Sequence, residues 1–257
     1  MAISIDSRAI VENGAQLAEN VTICAYAYVG KSVYLGEGTR VCHHATVDGR
    51  TQIGKNNIIH PYAYIGAPTH DLKYTGGDPG LKIGDGNVFR EYCTVHVATK
   101  PENETVLGDK NVLLAYAHVA HDCLVGSGVI MSSQAALGGH VVLQDFTNIG
   151  WSGGVHQFCK IGKYSMLGAA CKVTQDIPPY MLADGNPARV RSPNFVNLQR
   201  HGFSEERIRQ IKKIFRIFYG NGLNRTQAAE LLKSENIAPD LREEFLYFLG
   251  ESARGFA

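Results

Sequence analysis

A chain of 257 residues can bury a substantial core, as one large domain or two smaller ones. Its formal net charge of +1 gives no overall field for nucleic acid, and no run of about 18 apolar residues offers a membrane span. The opening MAISIDSRAI lacks a basic stretch followed by an apolar run, and the six cysteines include no CxxC pair, so a soluble cytoplasmic protein with free thiols is expected.

From Ile5 an aliphatic residue returns at every sixth position, through Val11, Leu17, Ile23 and Val29 to Ile65. The series restarts at Ile83, Phe89 and Val95, and then runs unbroken from Leu107 to Val173. The position two before each aliphatic is small or β-branched, as at Ala9, Ala15, Val21 and Ala27. A helix needs recurrence near 3.6 and a single strand recurrence near 2, so neither fits. Three short strands per turn, joined by tight corners, do fit: the chain forms a triangular prism and lies over itself every eighteen residues, with rungs about 4.8 Å apart. The 28 glycines suit such corners. Ordinary sandwich strands with Gly-rich turns would not sustain the long final run. Local rules favour right-handed crossovers, so the period alone does not set the hand of the coil.

Two stretches break the series, residues 67–82 (APTHDLKYTGGDPGLK) and residues 98–105 (ATKPENET). Insertions in solenoids map to loops on one face, often the binding face, and the first carries His70, Asp71 and Lys73. The repeat is expected to occupy residues 1–190 and to stop near Asp176-Ile177-Pro178-Pro179, and a small helical domain to occupy 191–257. Ser204 caps a helix with Glu205 and Glu206 in its first turn and Ile208, Ile211, Phe215 and Phe218 as its apolar stripe. Further helices are expected from Thr226 to Lys233 and from Asp240 to Glu251, together covering the open end of the prism. Arg189, Arg191, Arg200, Arg207, Arg209, Lys212, Lys213, Arg216 and Arg225 oppose only Glu205 and Glu206 in that stretch, a field for an acidic protein or a phosphorylated ligand.

The eighteen-residue turn also makes neighbours of distant residues. His121 falls below Gly139, and Gly139 below Gln157, with His140 and His156 each one residue from that column. His118 lies near the same edge, so these groups converge within roughly 10 Å. Several neutral histidines at one edge suggest a functional surface, and Asp122 could hold the tautomer of His121 that acts as a base. No nucleophile motif is evident, which favours direct base catalysis. Three histidines on a prism could instead bind zinc and activate water, and a non-catalytic scaffold stays open as well.

DLKY at 71–74, IGDGNVFREYCTVH at 83–96, AHVAHDC at 117–123, GGH at 138–140, VHQFC at 155–159, QDIPPY at 175–180 and RHGFS at 200–204 together resemble the acyl-[acyl-carrier-protein]–UDP-N-acetylglucosamine O-acyltransferase family. The likeness spans nearly the whole chain and implies an all-β left-handed parallel β-helix with a small C-terminal α-helical domain. It also implies a homotrimer with sites between subunits, and no metal or other cofactor. The implied reaction moves a 3-hydroxyacyl group from acyl carrier protein to the 3-hydroxyl of UDP-N-acetylglucosamine, the first step of lipid A biosynthesis. By motif, His121 resembles the general base, Asp122 its orienting partner and Gly139 the oxyanion donor. Asp71, Lys73, His118, His140, His156, Gln157, Asn194 and Arg200 resemble substrate contacts, and the basic C-terminal surface the seat of the carrier. Gly168 and Ala169 match the place that sets acyl-chain length, where the added methyl of Ala169 would shorten the chain accepted. His70 and Val196 depart from the commoner glutamine and glutamate, which leaves a UDP-diamino sugar acylated on nitrogen as the alternative acceptor.

Overall fold

The computed structural model describes residues 2–257. Two-residue strands alternate with short corners from Ser4–Ile5 onward and stack into three parallel sheets, the faces of a left-handed β-helix. Thr22 pairs with Arg40, Tyr28 with Thr46 and Tyr34 with Gln52, each eighteen residues on. The aliphatic series points inward: Ile23, Val29, Leu35, Val41 and Val47 are fully buried, as are Val21, Ala27, Val33 and Ala45 before them. Each such side chain lies over its equivalent in the rung below, and its burial contributes about 1.5–3 kcal/mol for the larger ones. Ile5 departs from the expectation. It is 48% exposed, because the first rung has none beneath it.

The interior also holds a polar column that the hexad pattern did not announce. Asn57 Oδ1 accepts from the backbone N and Nδ2 of Asn87, Asn87 Oδ1 from Asn111 N at 2.8 Å, and Asn111 Oδ1 from Val129 N at 2.7 Å. These asparagines are fully buried, yet each replaces a missing backbone partner at a corner. The corners need one left-handed residue apiece, and here side chains other than glycine supply many of them. Tyr62 (φ 64°), Tyr92 (61°) and Tyr116 (63°) stack ring on ring between the first and second faces, with centroids 5.2 and 4.9 Å apart. That stacking offsets part of the backbone strain.

Both interruptions are real, though shorter than the sequence suggested. Ile58 pairs with Val88, thirty residues on, and Val88 with Val112, twenty-four on. Ala67 still ends a strand, while Gly80–Ile83 and Glu104–Leu107 already pair with each other.

Past Val173 the first sheet closes with an antiparallel hairpin, Met181–Asp184 against Arg189–Pro193. Four helices follow: α1 (Phe195–Arg200), α2 (Glu205–Tyr219), α3 (Arg225–Ser234) and α4 (Pro239–Gly250). Ser204 caps α2 as expected, accepting from Arg207 N. Its buried face is Ile211, Ile214 and Ile217, rotated from the predicted stripe because the helix packs against the end hairpin. The short α1 was not predicted. The helices seal the end of the coil, where buried Tyr180 donates to Glu244 Oε2 at 2.6 Å.

The expected basic field is weaker than a linear reading gave. Arg207 pairs with Asp240 at 2.7 Å and Lys213 with Glu235, acids that come from later segments. All six cysteines are free thiols, and burial pushes Cys93 and Cys123 up to about 12. Among the described residues no helix is long and apolar enough to cross a membrane.

Candidate active site

The outward column of the second face reads His118, Ala136, Gly154 and Lys172 on successive rungs. Ala136 and Gly154 are small, and a Cβ added at Gly154 would meet nothing within 4 Å. They floor an open groove of about 420 Å³ between His118 and His156 at one side and Lys172 at its far end. Along its rim runs the corner to the third face. There His140 N donates to His121 O and Phe158 N to Gly139 O, both at 3.0 Å, so the column 121, 139, 157 is built as its spacing implied.

At this corner His121 Nδ1 lies 2.9 Å from Asp122 Oδ2. A carboxylate only accepts, so the proton sits on Nδ1 and the Nε2 lone pair is left free. Asp122 is itself held: Oδ2 accepts from Thr99 Oγ1 at 2.8 Å, Oδ1 from Asn103 Nδ2 at 3.3 Å, and its N–H donates to Thr105 Oγ1. Burial alone would raise its pKa, but the bonds from His121, Thr99 and Asn103 outweigh burial and keep the carboxyl below the ordinary range. The left-handed φ of 56° at Asp122 aims its side chain back at the histidine.

Gly139 faces the same ring. A Cβ there would fall 2.5 Å from His121 Nε2, so only glycine lets the His121 ring lie against the backbone. The Gly139 N–H has no hydrogen-bond partner among the described residues. His140 stacks on Phe158 at 4.6 Å and meets His121 edge-on at 5.3 Å, with its Nε2 3.8 Å from Asp122 Oδ2. Opposite, His118 Nδ1 bonds Thr94 Oγ1 at 2.8 Å, and burial together with His70 and His121 pushes its pKa down. It stays neutral.

The first interruption returns to this site. His70 packs edge-on against His96 at 4.1 Å and stacks with His118 at 6.1 Å. Asp71 caps its own turn, Oδ1 accepting from Lys73 N at 2.9 Å, so Asp71 and Lys73 lie on a loop anchored by its histidine. His156 and Gln157 are exposed on the rung above His140.

Asn194 and Arg200 do not join these groups. They line a separate cavity of about 350 Å³ on the first face, with Ile130, Asn148, Met166 and Val196. Asn194 is buried and its Nδ2 is spent on Tyr164 O at 2.9 Å, which leaves only its oxygen for a ligand. Gly168 and Ala169 lie at the first corner, just before Lys172, and a Cβ at Gly168 would run into Asp184.

Several residues of this site escaped the sequence reading. His96 is buried with Nδ1 unpartnered, and burial, then His118, His70 and His121, push its pKa down to about 3. Thr99 and Asn103 sit in the second interruption. Arg254, near the C-terminus, reaches His156 Nδ1 at 2.9 Å.

Comparison with known proteins agrees with this geometry. Residues 176–257 match the family described as UDP N-acetylglucosamine O-acyltransferase, domain 2. The chain is 40% identical over 254 residues to the acyl-[acyl-carrier-protein]–UDP-N-acetylglucosamine O-acyltransferase of Thermodesulfovibrio yellowstonii, covering 98% of each. It is 41% identical over 230 residues to that of Verminephrobacter eiseniae, covering 89% of this chain and 88% of the relative. The solved structure of a UDP-N-acetylglucosamine acyltransferase from Bacteroides fragilis superposes with a TM-score of 0.96 at 34% identity, over 98% of this chain and 99% of that one. Alike in sequence and in fold along nearly its full length, the chain belongs to the acyl-[acyl-carrier-protein]–UDP-N-acetylglucosamine O-acyltransferase family.

Proposed function

We propose that this protein transfers a 3-hydroxyacyl group from acyl carrier protein to the 3-hydroxyl of UDP-N-acetylglucosamine, the first step of lipid A biosynthesis. The observation that carries the mechanism is the His121–Asp122 pair lying against Gly139, whose N–H has no partner among the described residues. His121 Nε2 removes the proton as the sugar oxygen attacks the thioester carbonyl carbon. The Gly139 N–H bonds the oxyanion that forms, an interaction worth about 2.7–4 kcal/mol in such sites. Collapse breaks the carbon–sulfur bond, and the leaving thiolate takes the proton from the imidazolium. Asp122 stays ionised throughout and stabilises that imidazolium.

Asp71, Lys73, His118, His140, His156 and Gln157 bind the nucleotide sugar on this reading, and the acyl chain runs over Ala136 and Gly154 toward Ala169. Asn194 and Arg200, on a different face, serve the site of a neighbouring copy in a homotrimer. The protein works in the cytoplasm, where acyl carrier protein and nucleotide sugar are available. The exposed basic residues left on the helical end, Lys212 and Arg216 among them, receive the acidic carrier.

One observation favours a second reading. Ligand atoms of His121, Asp122 and His140 lie within 4.8 Å of one another, as a metal site requires. Both oxygens of Asp122 already accept hydrogen bonds, however, and a thioester needs no Lewis acid. The test of the function pairs one acyl carrier donor with UDP-N-acetylglucosamine and with its 3-amino counterpart, before and after chelation. Transfer to the hydroxyl sugar that survives chelation is the expected result. Much faster transfer to the amine would move the acceptor assignment, and activity restored only by zinc would support the metal reading.

A further inference from the structure

Residues 251–257 fold back on the end of the coil, where Phe256 makes a single parallel bridge to Asp176. Asp176 N donates to Gly255 O at 2.6 Å and Ala257 N to Asp176 O at 3.2 Å. The Asp176 carboxylate, fully buried, ties this tail to the last rung: Oδ1 accepts from Lys160 N at 2.7 Å and Oδ2 from Ser252 Oγ at 2.6 Å. The Arg225 guanidinium covers the Phe256 ring at 4.8 Å, and Arg254 Nε donates to Thr174 O at 3.3 Å. The tail thus holds Arg254 in one place, with its Nη2 2.9 Å from Nδ1 of His156.

That contact decides the chemistry of the histidine. His156 Nδ1 has two partners within reach, the Arg254 guanidinium and the Gln157 carbonyl at 3.1 Å. They demand opposite tautomers. The carbonyl needs a proton on Nδ1, which leaves Nε2 an acceptor, whereas a guanidinium only donates and so needs the Nδ1 lone pair. We infer that Arg254 is a positioning residue: it holds His156 as the Nε2–H tautomer and so presents a hydrogen-bond donor to the groove. A donor is the form that can meet a phosphate or carbonyl oxygen of the substrate, and the opposite tautomer would repel it.

The consequence for turnover rests on the acyl-transfer reading, while the tautomer does not, so two readouts separate them. Nitrogen-15 NMR of the imidazoles in the intact protein reports the tautomer without any substrate. His156 should carry its proton on Nε2 in the native protein and shift toward Nδ1–H in Arg254→Ala. Steady-state kinetics should then show KM for the nucleotide sugar raised about tenfold in Arg254→Ala, with kcat little changed and with partial rescue in Arg254→Lys. In a His156→Ala background the same arginine substitution should cost nothing further, a result that loss of tail packing would not give. An Nδ1–H His156 in the native protein, or equal losses in both backgrounds, would overturn the inference. If the NMR shift appears without the KM change, the tautomer stands and the acyl-transfer role of His156 falls.

Discussion

The corner between the first and second faces and the corner between the second and third share one backbone device. Tyr62, Tyr92 and Tyr116 at the former have φ values of 61–64°, and Asp122 and His140 at the latter have 56° and 59°. At both, rings stack from rung to rung, Tyr62 on Tyr92 and His140 on Phe158. Yet at the first corner the ionisable groups are spent on one another, as in the Arg90–Glu91 pair at 3.0 Å, while the second sets the His121–Asp122 pair beside the unpartnered N–H of Gly139. The coil therefore supplies register, and the site arises where polar residues take the register positions and an interruption brings partners to them. Asp122 shows this directly. Two of its hydrogen bonds come from Thr99 and Asn103, in the loop that the hexads skip.

Outside His121 itself, the largest effect that would break this contrast comes from Gly139→Ala. Its methyl would displace the His121 ring, and turnover should fall by about a hundredfold or more with the melting temperature nearly unchanged. A glycine-to-alanine change that left turnover intact would mean that His121 does not work against this backbone. Within the core of the coil the opposite pattern is expected. Asn87→Ala strands the buried N–H of Asn111 and should cost roughly 1–3 kcal/mol in denaturant unfolding, with kcat within about twofold. A large loss of kcat at native stability would show that the polar column does more than close the rungs.

Acid tests the interruption. His96 titrates at about 3 in the fold and near 6.5 when unfolded, so between these values the unfolded chain binds one more proton. Stability should therefore fall as pH drops through that window, by up to about 1.4 kcal/mol per pH unit from this group, and be unaffected by it above pH 6.5. His96→Gln should flatten the slope, as measured by unfolding at several pH values; an unchanged slope would mean that His96 is not the buried neutral group. The smallest effect is expected at Ala169→Gly. If the proposed acyl path ends at Ala169, removing its methyl should move the preferred acyl chain by a few carbons, read from competition between carrier-bound donors of different length. An identical profile would place the end of the groove elsewhere, with Lys172 the nearest alternative.

The regular part of the molecule was legible because its period is strict. Eighteen residues separate His121 from Gly139 and Gly139 from Gln157, so their meeting could be counted in advance. His96 could not be placed that way, since coils of thirty and twenty-four residues lie on either side of it and break the arithmetic. Arg254 was hidden for another reason: a tail that folds back onto the coil leaves no periodic trace. Asn87 stands two residues before Phe89, where the repeat asks for a small side chain, and only the backbone groups beside it explain why a buried amide belongs there. The basic stretch around Arg207 misled in the other direction, because Asp240 and Glu235 meet it only once the helices pack.

The account stands most directly on one measurement: acyl transfer from 3-hydroxyacyl carrier protein to UDP-N-acetylglucosamine, followed by mass spectrometry of the sugar product, for the native protein and for His121→Ala. The native protein should form the 3-O-acyl sugar, and the variant should lose about a hundred- to ten-thousandfold in kcat while keeping its unfolding transition. Undiminished transfer by a folded His121→Ala protein would contradict the claim that this corner of the coil is the catalytic centre.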